Sequence, residues 1–255
     1  MKLNRLILLL GLLFLAGCSS SSKEDMFKGM TENQIYTGGQ KALAKGHYSK
    51  AAQHFEALQA NYPFGEHAEQ IDRNIIYAYY KNGDAASAIA AADRYIHLYP
   101  QSSYVDYAYY MKGRVNFDRG RTHLQEMVGV NPAQRDLKYM NQAFNAFNDL
   151  LQQYPHSPYS PDARQRMIYI RNLLAQQQLE IAQFYFTRQV YVAAANRASL
   201  VVRHYEGAPQ VIPALVLMVK SYRALGLTDQ ANDALQVLQY NYPTAPELKS
   251  LLQVK

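Results

Sequence analysis

The stretch Ala51-Ala52-Gln53-His54-Phe55-Glu56-Ala57-Leu58-Gln59-Ala60-Asn61-Tyr62-Pro63 decides the fold, because its spacing returns along the chain. Counting from Ala51, Phe55, Leu58 and Tyr62 stand at steps of 4, 7 and 11, which trace one face of a helix. Tyr-Pro recurs at Tyr99-Pro100, Tyr154-Pro155 and Tyr242-Pro243, and Ala88, Ala143 and Ala231 each stand twelve residues before the proline. Four residues beyond those alanines come Ala92, Phe147 and Leu235, and seven beyond come Tyr95, Leu150 and Leu238. A degenerate fifth copy has Ala194, Ala198, Val201 and Tyr205, with Glu206 in the place of proline. Gly46, Gly83 and Gly226 lie five residues before three of the alanines.

This pattern resembles the tetratricopeptide repeat, a helix pair whose second helix carries alanine, then a large apolar residue, and ends at proline. Its logic is geometric. Glycine ends helix A in a left-handed conformation, and Asp84 or Thr228 can cap helix B behind it. Alanine lets the helices approach closely, Phe or Leu fills the groove beyond, and proline stops helix B. The expected fold is all-α, a tetratricopeptide-repeat solenoid of about five helix-turn-helix repeats. Intervals between the repeat tyrosines place two insertions. Tyr62 to Tyr99 and Tyr205 to Tyr242 are 37 residues each, whereas Tyr99 to Tyr154 is 55 and Tyr154 to Tyr205 is 51. The first insertion follows helix A of repeat three (104–117), in the charged stretch 118–136. Within the second, Pro161 to Phe186 has no internal Gly or Pro and reads as one helix about 39 Å long. That long helix is expected to join two lobes, 33–160 with repeats one to three and 161–255 with repeats four and five.

At the start, Met1-Lys2-Leu3-Asn4-Arg5 is cationic, and the apolar run Leu6–Leu15 is too short to span a bilayer but suits a signal-peptide core. Leu15-Ala16-Gly17-Cys18 looks like a bacterial lipobox. Residues 1–17 therefore read as a lipoprotein signal peptide, Cys18 as the lipidated residue, and 18–32 as a polar tether. An ordinary signal peptide with an incidental cysteine is the competing explanation. Two or three acyl chains hold a protein firmly where a single chain is marginal. Ser19 lacks the aspartate that resembles an inner-membrane retention signal, so the expected address is the outer membrane, facing the periplasm.

The chain has 255 residues, 26 Lys+Arg against 20 Asp+Glu, 49% apolar residues and one Cys, a composition that excludes disorder, a disulfide scaffold and a Cys-based zinc site. No block of like charge supports nucleic-acid binding. GxSxG, HExxH, GxxxxGK[ST] and GxGxxG are absent, and the seven histidines form no i, i+4 pair. The expectation is a binding protein with no catalytic residue and no metal, and no cofactor beyond covalent N-acyl and S-diacylglycerol groups on Cys18.

Tyrosine occupies 22 positions and tryptophan none. Helix-A stretches 75–82 and 104–112 hold seven tyrosines: Tyr77, Tyr79, Tyr80, Tyr104, Tyr107, Tyr109 and Tyr110. Tyr79 matches Tyr185 and Tyr222 in repeat phase and reads as structural. Tyr77, Tyr80, Tyr107 and Tyr110 lie off that phase, with Arg73 and Lys81 nearby, and suit an extended peptide with aromatic side chains and a terminal carboxylate. Amphipathic packing is the competing explanation for any single tyrosine.

The stretches Ile35-Tyr36, Phe55-Glu56-Ala57-Leu58, Tyr62-Pro63-Phe64-Gly65, Ile76-Tyr77-Ala78-Tyr79-Tyr80-Lys81-Asn82, Asp106-Tyr107 and Tyr110-Met111-Lys112-Gly113 resemble the BamD family. These are lipoproteins of the β-barrel assembly machinery of Gram-negative bacteria. Asn196-Arg197 is a weaker match. The resemblance covers the lipobox and essentially all of 33–243, and departs at the 118–135 loop and at 22–32. It implies five repeats, a lipid anchor and no catalysis. It further implies that the N-terminal lobe receives C-terminal targeting strands of unfolded outer-membrane β-barrel proteins. The C-terminal lobe would dock a POTRA domain of BamA, and other Bam lipoproteins would accompany it. On that basis Tyr62, Phe64 and Gly65 are candidates for the substrate end and Arg197 for the BamA interface. The repeat itself also accounts for Tyr62, a turn for Gly65, and a solvated face for Arg197. A tetratricopeptide pilotin-type lipoprotein, escorting a secretin or pilus component to the outer membrane, is the alternative function. An activator of a peptidoglycan-synthesising enzyme is a weaker third.

Overall fold

A computed structural model describes residues 26–121 and 136–253. Cys18, the signal peptide and 122–135 of the predicted loop lie outside the described residues. Among the described residues there are eleven α-helices and no strand, so the fold is all-α. They are α1 (Glu32–Ala44), α2 (Tyr48–Asn61), α3 (Ala68–Lys81), α4 (Ala85–Leu98), α5 (Val105–Gly120), α6 (Lys138–Gln153), α7 (Ser160–Thr187), α8 (Tyr191–His204), α9 (Val211–Ala224), α10 (Thr228–Asn241) and α11 (Glu247–Gln253). In chain order α1 to α10 are the A and B helices of five repeats.

The recurring positions form the core. Ala51, Ala88, Ala143, Ala194 and Ala231 are each at most 2% exposed, and Phe55, Tyr95, Phe147, Leu150 and Leu238 are fully buried. Burying one such large side chain is worth about 1.5–3 kcal/mol, so the four-seven-eleven face supplies the main drive for helix pairing.

A second regularity lies in the turns after each B helix. Tyr62, Tyr154, Tyr205 and Tyr242 cap α2, α6, α8 and α10 with nearly one conformation, φ −126 to −135° and ψ 45 to 63°. Their N–H groups donate to the carbonyls of Leu58, Leu150, Val201 and Leu238, and Tyr99 donates to Tyr95 in the same way. The five tyrosine carbonyls then accept from Gly65, Ser102, Ser157, Ala208 and Ala245, all at 3.0 Å. Those five residues are small, and Ser157, Ala208 and Ala245 are buried. Gly65 is therefore a regular member of a small-residue turn position.

The A-to-B turns behave as the glycines predict, with Gly46, Gly83 and Gly226 at φ 72, 79 and 71°. Each turn carries the paired helix-end bonds of a left-handed cap: Gly226 donates to Arg223 and Leu227 to Tyr222. In the fourth repeat Gln189 takes the glycine's place at φ 61°, with Gln189 donating to Phe186 and Val190 to Tyr185.

Three expectations are refined. Thr228 does not cap α10, because it is the first helical residue; Leu227 holds the cap position and makes no side-chain cap bond. Helix A of repeat three runs on to Gly120, three residues further than the sequence suggested. That extension lets Gly120 sit against Met140, whose methyl would lie 2.8 Å from an added Cβ. The long helix is one element, Ser160–Thr187, about 42 Å in length. The short α11, not anticipated from spacing, buries Leu248 and Leu251 into the core of repeat five.

The chain divides into two compact units, the first ending at Asp84 and the second starting at Ala85. The first holds α1 to α3; the second holds α4 to α11. This boundary falls inside repeat two, at a different place from the 160/161 lobe boundary read from sequence. Within the second unit one core cluster gathers Phe117, Met140, Phe147, Leu150 and Ile170. Another gathers Leu179, Val201, Leu215, Val219 and Leu238. Because α7 contributes Ile170 to one and Leu179 to the other, it is the shared wall of both clusters.

Candidate functional site

In the first unit α3 buries Ile71, Ile75, Ile76 and Ala78. Arg73, Tyr77 and Tyr80, at steps of four and three, fall on the opposite face. Tyr77 is 37% exposed. Its ring meets Tyr48 of α2 edge-on at 6.1 Å and lies 6.4 Å from Tyr80, while the Lys81 ammonium stands 5.6 Å from the Tyr48 ring. Aromatic faces, hydroxyls and a cation thus share one surface.

The Tyr-Pro-Phe-Gly corner is elsewhere. Tyr48 opens α2 and Tyr62 closes it, so the corner lies about 20 Å along that helix from the Tyr77 ring pair. The Tyr62 hydroxyl donates to Met30 O at 3.0 Å, which ties the chain ahead of α1 to the end of α2. Phe64 points into solvent at 97% exposure. An added Cβ on Gly65 would touch the Glu32 carboxylate, which also accepts from the His67 N–H at 3.4 Å. His67 stacks on Tyr36 with ring centres 4.1 Å apart.

Tyr107 and Tyr110 belong to the second unit and sit on Tyr159, the residue before α7. Tyr110 stacks on Tyr159 at 4.7 Å and 17°, and Tyr107 tilts against it at 5.8 Å. The Tyr110 hydroxyl donates to Asp162 Oδ2 at 2.8 Å and accepts from Arg114 at 3.4 Å. Asp162 in turn holds Arg166 at 2.6 Å. Burial pushes the Tyr110 hydroxyl above its ordinary pKa, against the lowering bond from Arg114. Burial also pushes Asp162 up, but Arg166, Tyr110 and Arg114 together hold its carboxyl below the ordinary value. Arg197 on α8 is half-buried and donates to Gln178 of α7 at 3.0 Å.

Two contributors escaped the sequence reading, Tyr48 and Tyr159. Tyr159 had a signal: it stands five residues after a repeat tyrosine, as do His67 and Tyr104, and these three precede α3, α5 and α7. Tyr48 had none, since the first residue of a B helix varies in this chain. Among the described residues no three His, Cys, Asp or Glu gather to hold a metal, and no helix is long and apolar enough to cross a membrane.

The family profile described as outer membrane lipoprotein (YfiO) matches residues 28–249. A Vibrio cholerae protein named outer membrane protein assembly factor BamD is 36% identical over 94% of this chain and 99% of its own length. Haemophilus influenzae has one of the same name, 35% identical over 97% of each chain, and Neisseria meningitidis serogroup B another, 32% identical over 93% and 90%. The crystal structure of MamA aligns at 17% identity with a TM-score of 0.33, covering 85% of this chain and 98% of MamA, too distant to bear on function. With the profile and these relatives spanning both units and the corner and tyrosine residues alike, the chain belongs to the BamD (YfiO) family of outer membrane lipoproteins.

Proposed function

We propose that this chain is a non-catalytic outer-membrane protein assembly factor, anchored through lipid on Cys18 with its helical body in the periplasm. Its first unit binds the C-terminal targeting strand of unfolded β-barrel proteins, and the region around Arg197 docks a POTRA domain of BamA. The relatives' shared name supports the assembly role. The observation that carries strand binding is the exposed Tyr77 ring on a helix face shared with the half-buried Arg73 and Tyr80, with Tyr48 and Lys81 beside it. An extended strand with alternating aromatic side chains and a terminal carboxylate meets ring faces and cations there. Phe64, almost wholly exposed at the distant corner, is a second anchor of the kind a partner buries. Tyr107 and Tyr110 offer ring faces on the second unit.

A photo-crosslinking amino acid at position 77 or 64 tests this reading in cells. The expected product is an adduct with an unfolded barrel protein that disappears when that protein's last strand is deleted. An adduct that survives the deletion removes strand recognition. Depletion of the protein is expected to empty the outer membrane of β-barrels; intact barrels with lost pili would instead support a pilotin.

A further inference from the structure

The first unit is polarised in charge along its helices. Glu32 and Glu69 stand in the first turns of α1 and α3, and Glu66 just before α3, all at the Tyr-Pro-Phe-Gly corner. About 20 Å away, at the glycine turns, stand Lys41, Lys45, Lys50 and Lys81, each exposed, with the exposed His47 among them. Among the described residues of this unit, Asp84 is the one carboxylate at that end. Asp72 is buried against Gln59, and Glu56 accepts from the Tyr79 hydroxyl midway along α2. Helix dipoles account for part of the pattern. Lys41 and Lys81 lie in last turns and Lys45 caps α1, where a cation is favoured. Lys50 is the exception. It sits in the first turn of α2, where a cation opposes the dipole, and no carboxylate stands in that turn.

The chain also enters the unit at the cationic end. Met30 O accepts from the Tyr62 hydroxyl at the corner, and Phe27 packs edge-on against His54 in the first half of α2. Met26, 63% exposed, borders an open groove with Gly46, His47, Lys50 and Asn82. Followed from Met30 back to Met26, the segment therefore runs along α2 toward the lysines. Cys18 is eight residues further back, so even a fully extended chain keeps it within about 29 Å of Met26. Lys23, Glu24 and Asp25 add one cation against two carboxylates, which leaves this end cationic.

We infer that the glycine-turn end of the first unit lies against an anionic phospholipid surface, with Lys45 and Lys50 at the headgroup phosphates and Met26 at the membrane boundary. The inference rests on the acyl anchor at Cys18 proposed above, which holds these lysines within reach of a bilayer. Lysine meets phosphate as a compact charge, and several such charges together draw a surface to an anionic membrane. An acidic protein would meet the same lysines, but the tether brings the bilayer to this end and nothing comparable brings such a protein. Docking of this kind turns the corner with Phe64 and its carboxylates away from the membrane.

Vesicle sedimentation tests the docking with the mature chain carrying Cys18→Ser, so that no acyl chain contributes. At millimolar lipid, binding is expected to vesicles with about 30% phosphatidylglycerol and not to pure phosphatidylcholine, and should fade in about 0.5 M salt. A lysine at an anionic surface contributes about fivefold in partitioning, so Lys45→Gln and Lys50→Gln should each weaken binding by about that factor. Lys50→Arg should retain it. Both side chains are exposed, and the Lys50 charge opposes its helix dipole, so the Lys50→Gln thermal midpoint should not fall. Lys249→Gln, on the exposed side of α11 in the second unit, should stay within about twofold of the parent. Equal losses from Lys45→Gln, Lys50→Gln and Lys249→Gln would reduce the effect to net charge and overturn the assignment. Failure to bind anionic vesicles overturns it too, whether or not the same lysines capture an acidic protein. The mass of the chain extracted from membranes reads the anchor separately: missing acyl mass removes the anchor, while the vesicle result still decides the docking.

Discussion

Gln189 occupies in the fourth repeat the left-handed position that Gly226 occupies in the fifth, at φ 61° against 71°. A side chain in that conformation crowds its own carbonyl, at about 1–2 kcal/mol. Glycine removes the crowding but loses about 0.5–1 kcal/mol through the unfolded chain's extra freedom. Gln189→Gly is therefore expected to raise stability by about 0.5–1 kcal/mol, and Gly226→Ala, where nothing crowds an added Cβ, to lower it by about the same amount. Urea unfolding followed by helical circular dichroism reads both, and a Gln189→Gly variant less stable than the parent would contradict the assignment of strain.

This position also shows what the sequence could and could not disclose. The Ala51-Phe55-Leu58-Tyr62 spacing was legible because close helix approach permits few residue types; its first three positions proved buried in every repeat and its tyrosine half-buried. The left-handed turn before α8 was not legible, since its hydrogen bonds are backbone bonds that Gln189 makes as well as glycine does. The turn position of Gly65 was readable only by aligning on the repeat tyrosines, because Gly, Ser and Ala share it. Of the candidate site, the helix faces carrying Tyr77 and Tyr110 followed from periodicity. What each ring touches did not: Tyr159 and Asp162 lie 49 or more residues beyond Tyr110, across an insertion of unpatterned sequence.

Gly113 and Gly65 should respond differently to alanine. On α5, a Cβ at Gly113 would stand 2.4 Å from the Phe147 ring, which is fully buried and has no room to yield. Overpacking of this kind costs about 1–3 kcal/mol, partly offset by about 1 kcal/mol of helix propensity. Gly113→Ala should thus lose about 1–2 kcal/mol. At Gly65 the obstacle is the Glu32 carboxylate, the mobile end of a flexible side chain. Gly65→Ala should fold within about 0.5 kcal/mol of the parent. Equal losses in urea unfolding would show that the corner is packed as tightly as the core.

Stability of the first unit should depend on pH through His54. The imidazole is 7% exposed, bonds Ile35 O through Nδ1 at 3.1 Å and meets Phe27 edge-on. Burial lowers its pKa below the ordinary 6.5, opposed by the Ile35 bond and reinforced by the charge of Lys50. The unfolded chain then binds the proton more readily than the folded one. The His54 contribution is fully present above pH 6.5 and is lost as the pH falls through that value toward the lowered folded pKa. The loss approaches about 1.4 kcal/mol per pH unit within that window. Unfolding midpoints measured at about pH 7 and about pH 5 should diverge in the parent. They should converge in His54→Gln, and an unchanged slope in that variant would move the effect to another group.

Tyr110 separates a hydroxyl that builds the protein from a ring proposed to meet a strand. Its hydroxyl is held by Asp162 at 2.8 Å, and its ring is stacked on Tyr159. Tyr110→Phe keeps the stack and removes a hydrogen bond to a carboxylate. The Asp162 side chain is 47% exposed, so solvent can replace part of that bond, and the expected cost is about 0.5–1 kcal/mol. Because the hydroxyl is already engaged, Tyr110→Phe should leave strand crosslinking from position 107 within about twofold of the parent. Tyr110→Ala removes the ring face as well, and there the adduct should fall about fivefold or more. A Tyr110→Phe variant that loses the adduct while unfolding normally would mean that the hydroxyl leaves Asp162 for the strand.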